Sequence, residues 1–309
     1  MKNSLYLRSG LLALVLLAAI PAALGATSIT GPTMISSPGT YVLAKDIAGG
    51  QSPAIWIQSS GVTIDGNGHT ISGAGGSYGI LVNKDGTTLT DVTIEDVRLE
   101  NWNCGLYFKG VADSRATGVT AASNGKAGIN LRSTSGTTVS DCTVTGNEQG
   151  ILLWQNTDDN TIANNTATDN DDAGIYVAST GRADGGIVFD STGNTVSDNT
   201  VSGNDQGIYL DFTRDNDVTG NTVTENDEYG IFLDYSSGNR LADNTVNGHA
   251  QSGFVLFDSG GCSISGNTAT DNGDYGLWAI ESPSLSLGGN SFSGNSDGTQ
   301  KFSGGSSSA

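Results

Sequence analysis

Two segments, "GIYLD" at 207–211 and "GIFLD" at 230–234, set an aromatic residue and a carboxylate at alternate positions, and a third, "GIVFD" at 186–190, ends on a carboxylate too. Alternation with a period of two marks a strand, so Ile and Leu share one side while the aromatic residue and the Asp share the other. If the third copy keeps the register, Asp190, Asp211 and Asp234 form an outward ladder, with neighbours ~5 Å and alternate members ~10 Å apart. These separations bracket those of the carboxyl pairs in retaining and inverting glycoside hydrolysis, which makes the three Asp candidates for acid/base catalysis. Like charges at ~4.8 Å repel by roughly 1 kcal/mol in water and roughly 3.5 kcal/mol at an effective dielectric of 20. Such a ladder calls for a raised carboxyl pKa or a cation, and calcium held by Asp211 and Asp234 is the ion that suits oxygen donors.

The elements that carry these residues repeat. A Gly before an apolar pair recurs at 79, 105, 128, 150, 174, 207, 230, 253 and 276, with steps of 22 to 26 residues and one of 33. In phase with it run a column at Asn165, Asn199, Asn221, Asn244, Asn267 and Asn290, with Cys142 in the same slot, and another at Asn147, Asn170, Asn204, Asn226, His249, Asn272 and Asn295. Short alternating strands at this period return to the same side only as a coil with one turn per repeat, each strand lying ~4.8 Å above its copy. Asn suits the corners, because it tolerates the left-handed conformation and its amide can bond up and down the stack. The unit with the long step leaves two choices open: either Gly174 or Gly186 begins its regular strand.

Read down such a coil, the first outward column is Trp56, Leu81, Tyr107, Asn130, Leu152, Tyr176, Tyr209, Phe232, Val255 and Trp278. Its aromatic members, Trp56, Tyr107, Tyr176, Tyr209, Phe232 and Trp278, suit stacking against sugar rings. The second column carries Lys109, Arg132 and Trp154 in the one stretch without net negative charge, where two cations can hold a uronic acid carboxylate.

Composition bounds the rest. Residues 1–26 combine Lys2 and Arg8, an apolar run and small residues at the end, the pattern of a secretory signal peptide. No second long apolar stretch follows, so a chain without a membrane span is expected in the secreted, periplasmic or cell-surface space. The net charge is −19, and residues 141–274, with three basic and 22 acidic side chains, account for all of it. Nucleic acid as a partner is excluded on that ground. Cys104, Cys142 and Cys262 have no ligand spacing, and with only two His the sequence offers no copper or zinc site, which leaves calcium at Asp211 and Asp234 as the one metal to consider.

The opening "PGTYVLAKDIAGG" at 38–50, "AIWIQSSGVTIDGNGHTISG" at 54–73 and the "GNTVSxNxxGIYL"-type repeats resemble the right-handed parallel β-helix proteins of the pectin-lyase-like superfamily. The nearest likeness is to NosD-type repeats and the carbohydrate-binding and sugar-hydrolysis (CASH) domains. The resemblance covers nearly all of the chain after residue 27 and implies an all-β, right-handed parallel β-helix. About eleven turns are expected over 27–303, roughly 50 Å long at strand spacing, with a flexible tail at 304–309 and capped ends. It also implies a polysaccharide or cell-surface glycan as partner. "NTDD" at 156–159 matches a fragment of the polygalacturonase motif, but that family's Gly-His-Gly and Arg-Ile-Lys elements are missing, as is the Asp-Pro-His-Asp element of mannuronan epimerases. Three functions stay open: glycan binding through the aromatic stripe, polysaccharide processing by the Asp ladder, and a structural surface spacer.

Overall fold

The computed structural model describes residues 25–50, 52–183, 186–188 and 191–306. Nearly all of the expected leader, Asp190 and the last three residues of the tail lie outside that set. Every element within it is a strand, and successive turns pair in parallel to make a coil of about eleven turns. A typical turn contributes Asp217–Thr219, Thr222–Thr224 and Ile231–Asp234, paired with Arg240–Ala242, Thr245–Asn247 and Phe254–Phe257 of the next. Three faces result. The first stacks twelve strands, from Thr27–Ile29 to Ser286–Gly288. The second presents Thr143, Thr166, Thr200, Thr222, Thr245 and Thr268 in register, β-branched residues that suit a pleated, half-exposed surface. The third carries the aromatic residues. The long strands Thr70–Val82 and Arg98–Ala112 bend round a corner and join the second and third faces.

The interior is one continuous column. Ile208, Leu210, Val218, Val223, Ile231 and Leu233 are fully buried, two or more per turn, and each such side chain contributes ~1.5–3 kcal/mol. A single turn has no second layer, so the core exists only between turns.

The Asn columns are hydrogen-bonded ladders. Asn221 Nδ2 donates to Asn244 Oδ1 at 2.9 Å and to the Val196 carbonyl at 2.9 Å, while its Oδ1 accepts from the Asn199 amide at 3.0 Å. This pattern repeats from Asn165 to Asn290 and from Asn124 to Asn295. Two further ladders were not recognised in the sequence: Asn160, Asn194, Asn216 and Asn239, and Thr213, Ser236, Ser259, Ser282 and Ser306. Serine is too common in this chain for that column to stand out. Cys142 and Cys262 fill ladder positions as buried thiols.

The left-handed corner residue is not the ladder Asn, as expected, but the residue before it: Asp198 (φ 56°), Gly220 (φ 67°), Asp243 (φ 55°) and Gly266 (φ 67°) precede Asn199, Asn221, Asn244 and Asn267. The Asp and Gly alternate for a steric reason. A Cβ at Gly220 would meet Asp198 Oδ1, one at Gly266 would meet Asp243 Oδ1, and Gly203 and Gly294 stand the same way over Asp169 and Asp271. At these corners the carboxylate folds over the next turn, which has room only for glycine, whereas Asp141 is followed by Asn164. The recurrent Gly before the apolar pair has another cause. At Gly150 a Cβ would press on the Gly174 carbonyl, and at Gly207 on the Gly230 carbonyl and Val223.

At the C-terminal end, Leu287, Phe292 and Phe302 are half-buried residues of the last described turn, packed on the core.

Candidate functional site

On the third face, Trp56, Leu81, Tyr107, Asn130, Leu152, Tyr176, Tyr209, Phe232, Val255 and Trp278 stack in the expected register. In the second column Lys109 pairs with Arg132, and Trp154, Ala178, Asp211, Asp234 and Phe257 follow one another.

The regular strand of the long unit is Ala173–Ala178, so Gly174 begins it. Gly181–Ala183 and Gly186–Val188 instead pair antiparallel in an insertion outside the coil, and the chain rejoins at Ser191, whose Oγ donates to the Ala178 carbonyl at 2.8 Å. Ala178 thus occupies the position next to Asp211 that a three-membered ladder would give to Asp190. Two carboxylates, Asp211 and Asp234, remain in register.

These two face tyrosines. The Tyr176 hydroxyl donates to Asp211 Oδ2 at 3.0 Å, and Tyr209 hydrogen-bonds Asp234 in the same diagonal fashion. Burial raises the Asp211 carboxyl above the usual carboxylate range, more than the Tyr176 hydrogen bond lowers it. Burial also raises both phenols, and the Asp211 charge adds to it.

The aromatic column is not the open stripe the alternation implied. Tyr176 and Tyr209 stack at 4.7 Å and 1°, and Tyr209 and Phe232 at 4.9 Å and 5°, so both faces of Tyr209 are covered by rings. The centroid distance equals the strand spacing, and the stack presents edges rather than faces to solvent. Tyr107 lies under Tyr78 and is 8 % exposed, with Leu152 and Val255 at 3 %. The Trp56 indole N–H donates to the Asn83 carbonyl at 3.1 Å, and Trp278 carries Lys301 over its ring at 4.9 Å. A second stack, Phe212 on Tyr235 at 4.9 Å, stands beside the first, and Gly181 of the insertion approaches Phe212.

At the Tyr176 end of the stack a recess of about 290 Å³ opens, lined among others by Lys126, Gln149, Trp154, Tyr176, Thr180 and Asp211. Lys126 Nζ lies 5.1 Å and Arg132 Cζ 4.7 Å from the Trp154 ring centroid. Arg132 donates to Gln155 Oε1 at 2.6 Å and hydrogen-bonds Tyr107, and Gln149 Nε2 donates to Asp172 Oδ2 at 3.0 Å. The recess thus brings Trp154, Tyr176 and Asp211 together, with Arg132 against the Trp154 ring and Lys109 one turn from Arg132, while Trp56, Tyr107, Tyr209, Phe232 and Trp278 do not line it. Lys126 and Gln149 were missed in the sequence. A signal existed: two residues before the repeat Gly, where Lys126 stands, five other turns carry an acid, Glu148, Asp172, Asp205, Glu228 and Asp274, and the rest carry Ser77, Asn103 and Gln251. Hollows at the two ends of the coil, of about 390 and 480 Å³, hold no comparable set of side chains.

The chain is a right-handed parallel β-helix protein of the pectin-lyase-like fold. The family model described as periplasmic copper-binding protein (NosD) matches residues 178–303, and that of the right-handed β-helix region matches 53–191. No curated protein matches the sequence. Among solved structures, the A-module of mannuronan C-5 epimerase AlgE4 from Azotobacter vinelandii superposes with a TM-score of 0.65 at 17% identity, covering 92% of this chain and 80% of that one. The periplasmic alginate epimerase AlgG gives 0.58 at 17%, covering 88% and 79%, and the Dettilon tailspike protein 0.66 at 18%, covering 90% and 61%. At these identities the likeness is one of fold.

The copper of the family description does not fit these residues. Among the described residues no group of three or more His, Cys, Asp or Glu gathers. His249 is buried in an Asn ladder, and burial pushes the Cys104 and Cys142 thiols up to about 12, so neither is a thiolate donor. Among the described candidate residues none, Asp211 and Asp234 included, joins a cluster of that size.

Proposed function

We propose that this protein binds polysaccharide through its third face, outside the cytoplasm, with the recess at Trp154 and Tyr176 as the subsite for one sugar unit. The observation that carries this reading is the recess itself. Along a face otherwise closed by ring-on-ring packing, it alone among the described third-face residues combines an indole, a phenol, an amide, a hydroxyl and charged groups around a concavity. An apolar wall with a few convergent polar groups is the composition that holds a pyranose. The fold agrees, since its relatives include epimerases named for mannuronan and alginate.

The test is binding to a panel of neutral and acidic polysaccharides. Trp154→Ala combined with Tyr176→Ala should weaken the best binder about 5- to 150-fold, given ~0.5–1.5 kcal/mol per aromatic contact. No binding across the panel would overturn the reading.

A second reading, catalysis, draws support from Asp211, whose carboxyl is raised by burial and lines the same recess. It requires new reducing ends or an unsaturated product that disappears in Asp211→Asn. Turnover that persists in that variant removes Asp211 as the catalyst.

A further inference from the structure

Lys126, just before the strand Ala127–Ser135, and Arg132, on it, approach the same indole of the next turn, at 5.1 and 4.7 Å from the Trp154 centroid. In a chain with 32 acidic and 13 basic residues, two clustered cations would be expected to have found a carboxylate. They have not. The ion pairs among the described residues involve His69, Arg98, Arg214 and Arg240, and none reaches Lys126 or Arg132 within 4.0 Å. Arg132 is held instead by neutral groups, Gln155 Oε1 at 2.6 Å and the Tyr107 hydroxyl, which fix the guanidinium without neutralising it.

Two cations lie over one ring, Arg132 held by neutral groups and neither ion-paired with a carboxylate, and a bound anion would neutralise them. The guanidinium keeps N–H groups beyond those used on Gln155 and Tyr107, and the ammonium has three. Together they suit an oxyanion with two or more acceptor oxygens.

We propose that this pair is an anion seat, and that the sugar unit taken by the recess bears a carboxylate or sulfate, its ring against Trp154 and Tyr176 and its charged group between Lys126 and Arg132. The inference rests on the glycan-binding reading and narrows it to acidic saccharides. Asp211, which lines the same recess, then sets the orientation, because it repels a charged group placed beside it.

The experiment is titration of the full chain with trigalacturonate, with its methyl ester, and with a sulfated oligosaccharide of similar length. The acidic forms should bind at least tenfold more tightly than the ester, with an affinity that falls as salt rises. Lys126→Gln and Arg132→Gln should each remove most of that preference, and Lys126→Arg should keep it, with circular dichroism confirming that the coil is intact. Preference for trigalacturonate assigns the seat to a carboxylate, and preference for the sulfated probe assigns it to sulfate. Equal binding of acid and ester, with both lost in Trp154→Ala, overturns the anion seat while leaving glycan binding in place. No binding of any probe overturns the anion seat, and the panel of neutral polysaccharides then decides the glycan-binding reading separately.

Discussion

His249 shows how far one side chain can stand in for another. It takes a ladder position otherwise filled by Asn, its Nδ1 accepting from the Asn226 amide at 3.1 Å and its Nε2 facing the Val223 carbonyl at 3.2 Å. The neutral ring with its proton on Nε2 reproduces the oxygen and the amino group of an Asn. That tautomer is neutral, and burial lowers the pKa from 6.5 to about 4. Above pH 6.5 neither the folded nor the unfolded ring binds a proton, so the group is silent. Below it the unfolded chain takes a proton that the folded chain refuses until about pH 4, so stability falls across that window, by up to ~3 kcal/mol. His249→Asn should therefore match the parent at pH 7.5 and exceed it increasingly as pH drops to 4.5, read as urea midpoints. Parallel pH profiles would show that the ring is not buried neutral.

Ladders and corners, rather than any single strand, hold each turn to the next. Asn221→Ala removes two donors and leaves the Asn199 amide and side chain without their acceptor, all at buried positions. The expected loss is ~2–4 kcal/mol by chemical denaturation, from buried groups left unsatisfied. Asn290→Ala, half-buried in the last described turn, should cost less than half of that. Gly220→Ala meets two penalties, a positive φ and the Asp198 carboxylate, and should cost ~1–3 kcal/mol. This level was largely legible in the sequence. A repeat turns register into columns, and the outward column from Trp56 to Trp278 falls where the alternation put it. What covers a column was not legible. Alternation says which side a ring leaves from, but Tyr209 spends both its faces on Tyr176 and Phe232, a consequence of rings repeating at strand spacing. Nor did spacing alone choose between Gly174 and Gly186, because an insertion can imitate a strand of the coil, as Gly186–Val188 does.

Charge is organised over the whole molecule by the same corners. Of the 32 acidic residues, many are Asp in the left-handed position, among them Asp141, Asp169, Asp198, Asp243 and Asp271, and the Gly that alternates with them keeps like charges apart. Carboxylates two turns apart lie ~10 Å from each other, and their repulsion falls to roughly half that of adjacent turns, about 0.4 kcal/mol in water. The acidity is thus largely a by-product of turn chemistry, held at a separation near the Debye length of ~10 Å at 0.1 M salt. A second set has no such spacing. Burial raises the Asp205 carboxyl, and Glu228, Asp227, Asp172 and Asp171 raise it further. A carboxyl raised in the folded state takes up a proton there before the unfolded chain does, so stability from this group grows as pH falls through its folded pKa towards 3.8. This opposes the loss from His249. In the His249→Asn background, mild acidification should therefore raise the unfolding midpoint, and the rise should shrink in Asp205→Asn and in added salt. If the midpoint falls with pH in that background as it does in the parent, the acidic corners of neighbouring turns are not the source of strain in the coil.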